Sequence, residues 1–545
     1  MLPAMSLRED TLCPDKNKEV KSLKKDTSYT IRRVQRLPVI LIGEGLLVGA
    51  VGGLIVMLYR IALTYAGKWL GEILDFIRGY PLRIAGWFFV LAIFAVIVSR
   101  LVKWVPMISG SGIPQVEGEI LGKLSQDWKK VLPAKFFGGF LCLLGGLSLG
   151  REGPSIQLGA MSGQGISRLL DRGKTEERYL MTCGASAGLA AAFHAPLAGM
   201  MFAFEEIHKG FSVGLMVSVM TASVTADYIC SHIMGLDPVF QFELEHVLPQ
   251  DHYWLLLLLG ALLGVMGALY NKVMLKAQDL YKKPKRLNET GRLLIAFLAA
   301  GIMGLVMPSV LGSGGDLIVD LTAGEMAIGL VALTFAVKFL FSAVSFGSGA
   351  PGGIFFPLLV LGALLGGIFA MAGVEVFGMD PVYVNNFVLL SMAGFFTAIV
   401  RAPITGIILL FEMSGSVSQM LSLAIVSVSA YITASLLRSE PIYESLLKRL
   451  LPDRDRQREK GTAPGGQKVL SEFVIMSGSV LEDRTVMEIT WPNNCLLVAL
   501  EREGREMIPR GKTKLQAGDK LTVMTDERDA GYIHDKMENL CYTSF

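Results

Sequence analysis

Charged residues are scarce over most of this 545-residue chain. Lys, Arg, Asp and Glu make up only 18% of the sequence, whereas soluble domains carry about 25%. The deficit lies in residues 37–447, which hold only 53 of the 99 charged positions, while 52% of the whole chain is hydrophobic. This composition excludes a string of soluble domains over that range and predicts a membrane-embedded segment.

Other signals are missing as well. The six cysteines show no short paired spacing, so neither a metal site nor a disulfide framework is predicted, and no cofactor is expected. A net charge of +3 without a dense basic stripe excludes nucleic acid as a partner. No Ser-His arrangement or His-Glu-x-x-His motif occurs, so we predict that the protein is not an enzyme.

The first 36 residues contain no apolar core of signal-peptide length. They hold nine basic and five acidic residues directly before the first apolar stretch. Basic residues next to a membrane span favour the cytoplasmic side. We therefore predict a solvated cytoplasmic tail over residues 1–36.

The middle of the chain contains long apolar stretches, each near the length of a bilayer crossing. They lie at residues 38–66, 84–105, 180–207, 211–236, 253–276, 291–311, 326–346, 354–378, 385–411 and 418–437. Gly- and Pro-rich breaks at 109–114, 150–154 and 347–353 interrupt this pattern. Irregular backbone at membrane depth survives only where it is buried in protein or lines a cavity, so the pattern indicates a transporter or channel.

An internal repeat supports this interpretation. The segment His-Ala-Pro-Leu-Ala-Gly at 194–199, followed by Phe-Glu at 204–205, recurs as Arg-Ala-Pro-Ile-Thr-Gly at 401–406 and Phe-Glu at 411–412. A weaker pair relates Gly-Ser-Gly at 110–112 to Gly-Ser-Gly at 312–314. Matching broken helices in two halves are typical of secondary transporters. Chance similarity between two apolar helices is the alternative.

The breaks favour an anion as the bound species. Half-helix ends present N–H groups and positive helix dipoles, which bind an anion without a buried full charge. Ser111 adds a hydroxyl donor, and the glycines ending at Gly353 allow close approach to the donors of Ile354 and Phe355. Alternatively, these glycines only let helices pack closely.

Three glutamates lie next to apolar segments. Glu152, in a Gly-Arg-Glu-Gly-Pro break, is a candidate gate or proton carrier, because a carboxylate at membrane depth is costly. The alternative is a salt bridge with Arg151 in a solvated loop. Glu205 and Glu206 end an apolar helix, so they could be helix-end charges at the interface, and at most one of them is expected to serve an ion path.

The end of the chain differs from the middle. Residues 448–466 are first highly charged and then rich in Gly and Pro, so they predict a flexible linker. Residues 467–545 predict a small soluble α+β domain with strands at 473–476, 495–500 and 520–524 and a helical turn at 486–489.

The motifs at 110–114, 150–154 and 349–355 resemble the three signature segments of the CLC chloride channels and transporters. The resemblance covers about residues 37–447 and includes the segment at 191–199. It implies an all-α polytopic membrane protein built of two inverted halves, about 37–280 and 287–447, with broken helices. It also implies a homodimer with one ion pathway per subunit.

By this resemblance, four residues would bind the central chloride. Ser111 and Tyr443 would supply hydroxyl groups, and Ile354 and Phe355 would supply backbone N–H groups. Further backbone along the anion pathway would come from Gly112, Arg151, Gly153 and Phe356.

The resemblance also assigns two glutamates. Glu152 would be the gating glutamate that competes with chloride, and Glu206 would match the internal proton-transfer glutamate of the proton-coupled members. It therefore implies a chloride/proton antiporter in the cell membrane, bacterial in type, with both termini cytoplasmic. A passive voltage- or pH-gated chloride channel on the same fold is the alternative. Gln115 departs from an acidic residue common in bacterial members.

The segment 467–545 resembles the TrkA-C (RCK-C) regulatory module of potassium uptake systems. This likeness implies a regulatory domain with an unidentified cytosolic ligand, or an appendage that only stabilises the dimer. It also raises the possibility of a tail-regulated potassium transporter, against which the absence of a Thr-Val-Gly-Tyr-Gly filter weighs.

Overall fold

The computed structural model divides into two units, Met1–Leu450 and Leu451–Phe545. The described residues are 16–209, 213–235, 248–283, 287–324, 326–451, 468–493, 495–502, 505–526, 533, 536–537 and 539–541. The first 15 residues of the predicted tail and most of the predicted linker at 448–466 lie outside this part of the chain.

The described part of the first unit is helical. Its first half contains α1 (Lys16–Ile77), α2 (Pro81–Trp104), α3 (Ile113–Ile120), α4 (Trp128–Leu144), α5 (Glu152–Leu169), α6 (Lys174–Phe193), α7 (Pro196–Phe202), α8 (Val213–Met234) and α9 (Tyr253–Lys282). Its second half contains α10 (Glu289–Val306), α11 (Gly315–Thr322), α12 (Ile328–Gly347), α13 (Phe355–Phe377), α14 (Val384–Val400), α15 (Pro403–Ser414), α16 (Met420–Leu436) and α17 (Ile442–Leu450).

Within the described residues, seven helical segments are long and apolar enough to cross a membrane. They include the apolar part of α1 and all of α13, whose most apolar window is 78% buried inside the protein. A membrane helix surrounded by other helices needs no polar face, because lipid and protein interior are equally apolar. These spans make the chain a multi-pass membrane protein.

Helix α5 has no counterpart among the predicted apolar stretches, although it lies at the centre of the unit. Its sequence is rich in Ser, Gln and Gly, and almost all of its side chains are buried. A Cβ added at Gly159 or Gly163 would collide with backbone oxygens of Gly184 or Leu180 in α6. Glycine therefore allows α5 and α6 to touch backbone to backbone, as small residues do between membrane helices.

The internal repeat predicted from the sequence corresponds to repeated helix breaks. His194 ends α6 at a φ of 54°, and Arg401 ends α14 at a φ of 74°. An Ala-Pro pair then begins the next short helix in each half, because proline suits the first helical turn. The single apolar stretch predicted at 385–411 is thus two helices, α14 and α15.

A pair of buried lysines follows the same repeat. The Lys135 Nζ in α4 donates to the carbonyls of Ile108 and Gly110, at 2.9 and 2.7 Å. In the other half, the Lys338 Nζ in α12 donates to the carbonyls of Val310 and Gly312, at 2.8 and 2.9 Å. Each ammonium group therefore supports the backbone just before a Gly-Ser-Gly break.

The second unit contains a four-stranded antiparallel sheet in its described residues. The strands are β1 (Lys468–Val474), β2 (Cys495–Arg502), β3 (Arg505–Met507) and β4 (Lys520–Asp526), in the order β1-β4-β2-β3. Strands β2 and β4 coincide with predicted strands, whereas β1 overlaps the strand predicted at 473–476 only at Phe473 and Val474, and β3 was not predicted. The expected helical turn is a 3₁₀ turn at Val486–Glu488.

The second unit has its own apolar core. Phe473, Leu500, Leu521 and Val523 from the sheet pack together with Met537. At the surface, backbone and side-chain hydrogen bonds from Thr485 lower the pKa of Glu488 and form a capping box around the 3₁₀ turn.

Candidate functional site

The first predicted break lies between a 3₁₀ turn, Pro106–Ile108, and α3. Gly110 and Gly112 have φ angles of +70° and +101°, which glycine adopts without steric cost. Ser111 between them is only 2% exposed, and its Oγ has no hydrogen-bond partner within the described part of the protein. A buried hydroxyl of this kind is available to a ligand.

The second break joins the third through paired backbone. Gly150 and Gly353 exchange two N–H to carbonyl hydrogen bonds of 2.7 and 2.8 Å. Gly352 also donates to the Gly110 carbonyl at 3.1 Å, which connects this pair to the first break. All three motif segments therefore meet at one place.

Glu152 is the first residue of α5 and is completely buried. Its Oε2 accepts a 3.3 Å hydrogen bond from the backbone N–H of Phe356, and its Oε1 lies 3.9 Å from the Arg151 Nε. The salt bridge considered as an alternative thus forms, but not in a solvated loop.

Glycine at position 153 is required by this close approach. A Cβ there would lie 2.6 Å from the Ser111 carbonyl oxygen and would also collide with the Ser111 Oγ. Gly353 is similarly confined, because a Cβ added there would lie 3.0 Å from the Gly153 nitrogen. The Ser111 hydroxyl therefore faces the backbone at the start of α5.

The start of α13 completes this region. Ile354, Phe355 and Phe356 are 1%, 0% and 5% exposed. The first N–H groups of a helix have no acceptor within the helix, so those at this end are directed to other partners. The Phe355 ring packs against Phe193 and Phe396 with centroids 5.3 and 4.9 Å apart, which fixes the helix end.

Tyr443 lies in α17, whose side chains at this position are buried as well. Its side chain is completely buried, and its hydroxyl lacks a hydrogen-bond partner among the described residues. The carboxylates of Glu206 and Glu152 both act on it electrostatically. The structure thus brings the predicted Ser111 and Glu152 together with the start of α13, and Tyr443 lies within electrostatic range of Glu152.

Glu206 lies apart from the motif segments, in a π-helical segment, Ala203–His208, that continues α7. It is 4% exposed, and its Oε1 has no partner in the described part of the chain. The charged groups that act on it electrostatically include Glu117 and Lys209, which form a 2.7 Å ion pair with each other. Single π-helical turns are frequent at functional sites.

The neighbouring Glu205 faces the other half of the protein. It accepts hydrogen bonds from the backbone N–H groups of Ile404 and Thr405, at 3.3 and 2.8 Å, at the start of α15. Its repeat partner Glu412 accepts from Leu197 and Ala198 at the start of α7, at 2.9 and 2.7 Å. Each glutamate caps the opposite half's helix, so Glu205 is a structural residue and not a solvated helix-end charge.

A cavity of about 160 Å³ is lined in part by Ser111 and is here called the vestibule. Its lining also includes Ser109 and Gln115, and its charged groups include Lys282, Arg292 and Arg449. Sequence reasoning missed these basic residues and also the buried Lys135. A lone lysine within the apolar run of α4 was the available signal.

This fold and this arrangement of broken helices define an ion-transport protein of the membrane. Residues 93–435 match the family described as "Voltage gated chloride channel", and the chain belongs to that family. Residues 470–537 match the TrkA-C domain, which confirms the predicted identity of the second unit.

Two bacterial proteins illustrate the similarity. The H(+)/Cl(-) exchange transporter ClcA of Vibrio cholerae is 38% identical over 426 residues, which span 76% of this chain and 90% of that protein. The corresponding Vibrio vulnificus protein is 36% identical over 422 residues, with the same coverage.

Solved structures share the fold. A slow cyanobacterial Cl-/H+ antiporter matches with a TM-score of 0.72 at 30% identity. The match covers 76% of this chain and 99% of the antiporter's chain. A CLC-type fluoride/proton antiporter, at 21% identity and a TM-score of 0.60, covers 74% of this chain and 97% of its own. The predicted all-α CLC fold with a strand-containing C-terminal domain is therefore confirmed.

Proposed function

We propose that this protein exchanges chloride for protons across the membrane. The observation that carries the proposal is the meeting of the Ser111 hydroxyl, the buried Glu152 carboxylate and the amide end of α13. The hydroxyls of Ser111 and Tyr443 are both buried and lack hydrogen-bond partners among the described residues. Polar groups left without partners inside a membrane protein are costly unless a ligand uses them. An anion fits, because hydroxyl and amide groups are donors.

Chloride would be held by Ser111 and Tyr443 through their hydroxyls and by Ile354 and Phe355 through their N–H groups. No full positive charge is needed, since oriented N–H groups at a helix start supply the attraction. The pathway on either side of the ion would run along backbone at these four positions: Gly112, Arg151, Gly153 and Phe356.

Glu152 would act as the gate. Its carboxylate accepts a 3.3 Å hydrogen bond from the Phe356 N–H. An anion at the start of α13 would use the same N–H group. Carboxylate and chloride therefore compete for the same donors. A protonated Glu152 loses its attraction for them, so proton uptake and chloride occupancy become linked.

Glu206 would pass protons to this gate. It is buried, and one of its carboxylate oxygens has no partner among the described residues. It also acts electrostatically on Tyr443, as Glu152 does. The capping role of Glu205 leaves Glu206 as the member of the pair that can serve an ion path.

The relatives named as exchange transporters favour the antiporter over a passive channel on the same fold. The decisive measurement is made in proteoliposomes with opposed chloride and proton gradients. An antiporter drives protons uphill when chloride flows downhill, and its reversal potential lies away from that of chloride. A reversal potential equal to that of chloride, without proton movement, would instead show a channel.

Replacing Glu206 with Gln should abolish proton pumping while chloride flux continues, because the amide cannot carry a proton. Glu444→Gln is the matched control: Glu444 also acts electrostatically on Glu206 but is partly exposed on α17. Chloride-driven acidification is followed with a pH electrode. Full pumping by the Glu206→Gln protein would contradict the assignment.

We further propose a homodimer in the bacterial plasma membrane with both termini cytoplasmic. The nine basic residues in the first 36 positions support this orientation. The C-terminal unit would be a regulatory domain for a cytosolic ligand, since it has its own core and the sequence of a TrkA-C domain.

A chain truncated after Leu451 should remain dimeric and keep its basal chloride flux. Every residue proposed to contact ions lies in the first unit, and the core of the second unit is formed by its own residues. Light scattering gives the oligomeric state, and flux is compared with the full chain over a panel of cytosolic nucleotides. A dimeric truncated protein without any transport would refute the modular arrangement.

A further inference from the structure

The basic side chains that line the vestibule differ in their hydrogen bonds and ion pairs. Arg449 forms two hydrogen bonds of 2.6 and 3.0 Å with the Asp279 carboxylate, and a third to the Leu275 carbonyl. Its charge is therefore balanced by a partner. Such an arginine mainly connects α17 to α9.

Arg292 is different. Its side chain forms no hydrogen bond or ion pair with any described residue, and its Nε is buried without a partner. Glu289 lines the same cavity one helical turn earlier, at a spacing that permits an ion pair. No such pair forms between them, so Arg292 has no ion-pair partner in the part of the chain that the structure describes.

The position of Arg292 is set by the anchored start of α10. The Thr290 and Ser99 hydroxyls lie 2.6 Å apart and join α10 to α2. The Arg292 N–H donates to the Asn288 carbonyl at 3.0 Å, and the adjacent Leu293 is 1% exposed. The backbone at Arg292 is therefore fixed by a helix end that packs against α2, and the Arg292 side chain lines the vestibule.

We propose that Arg292 attracts chloride into the vestibule and so raises the ion concentration in front of Ser111. This inference rests on the proposed chloride transport. A cavity with low-dielectric walls concentrates the field of a charge on its lining, and an unpaired cation there increases the local anion concentration. Arg292 is a positioning residue and does not contact the central ion.

The test measures initial chloride efflux from proteoliposomes at fixed ionic strength, with internal chloride varied against an impermeant anion. Arg292→Ala should raise the KM for chloride about five-fold and leave the maximal rate unchanged, because one unit charge near water changes the local ion concentration by about that factor. Arg292→Lys should restore most of the wild-type KM, since it keeps the charge.

Lys283→Ala is the matched control. Lys283 lies next to Lys282, is exposed, and is not part of the vestibule lining. It removes the same charge and should leave the KM unchanged. Arg292→Gln, which also removes the charge, is measured in parallel. The KM comparison then remains possible if the Arg292→Ala protein fails to fold.

Three results would overturn the inference. The KM of Arg292→Gln could equal that of the wild type, Arg292→Lys could be as impaired as Arg292→Gln, or the maximal rate could fall while the KM stays constant. Absence of chloride flux in the wild-type protein would instead overturn the proposed function itself, and this inference with it.

Discussion

Replacement of Glu152 by Gln is expected to abolish proton movement while chloride flux persists. The amide cannot carry a proton, and it is neutral, as the protonated glutamic acid would be. The charge that competes with chloride for the Phe356 N–H is thereby removed. A neutral side chain should leave the anion pathway open at every pH tested.

The measurement combines chloride efflux with proton uptake in the same proteoliposomes. Glu412→Gln is the control, because Glu412 is another carboxylate that accepts backbone N–H groups at a helix start. It lies outside the proposed ion path and should retain coupled exchange. Proton pumping that survives in Glu152→Gln would remove Glu152 from the mechanism.

The second large effect is expected from Gly153→Ala. The added methyl group would lie 2.6 Å from the Ser111 carbonyl oxygen, so the backbone of two motif segments must separate. Overpacking of this kind costs about 1–3 kcal/mol. Each 1.4 kcal/mol is a factor of about ten in affinity, so a cost in this range that falls on the bound state would lower chloride affinity by about five-fold to about 140-fold.

Gly86→Ala serves as the control for this substitution. Gly86 lies in α2, where an added Cβ meets nothing within 4 Å. Alanine in an open helical position is expected to be neutral or slightly stabilising. Calorimetry with chloride gives the affinity, and thermal unfolding in detergent shows whether both variants fold. Wild-type affinity in a folded Gly153→Ala protein would contradict the proposed geometry.

The sequence was least informative for helices α4 and α5. The apolar pattern identifies helices that face lipid, but α5 packs its serines, glutamines and glycines against other helices. Its composition resembles that of a loop, and only the structure shows that its glycines allow close contact with α6. The buried Lys135 likewise gives no clue to its acceptors, because the Ile108 and Gly110 carbonyls lie in a different segment.

The distinction between Glu205 and Glu206 also needed the tertiary structure. The sequence predicts that at most one of them serves an ion path, but both follow the same apolar helix. The N–H groups that donate hydrogen bonds to Glu205 belong to α15, about 200 residues away in the chain. Only the packing of the two halves shows that Glu205 already accepts hydrogen bonds from another helix.

The sequence by itself determined the membrane segment, the repeat, the three motif breaks and the strands β2 and β4. These features depend on local composition and spacing, which the order of residues contains directly. The tertiary structure alone decided that Gly352 bonds to Gly110, that Glu152 bonds to Phe356, and that Arg292 has no partner among the described residues. Contacts between distant segments follow from how helices pack, and apolar periodicity leaves that packing undetermined.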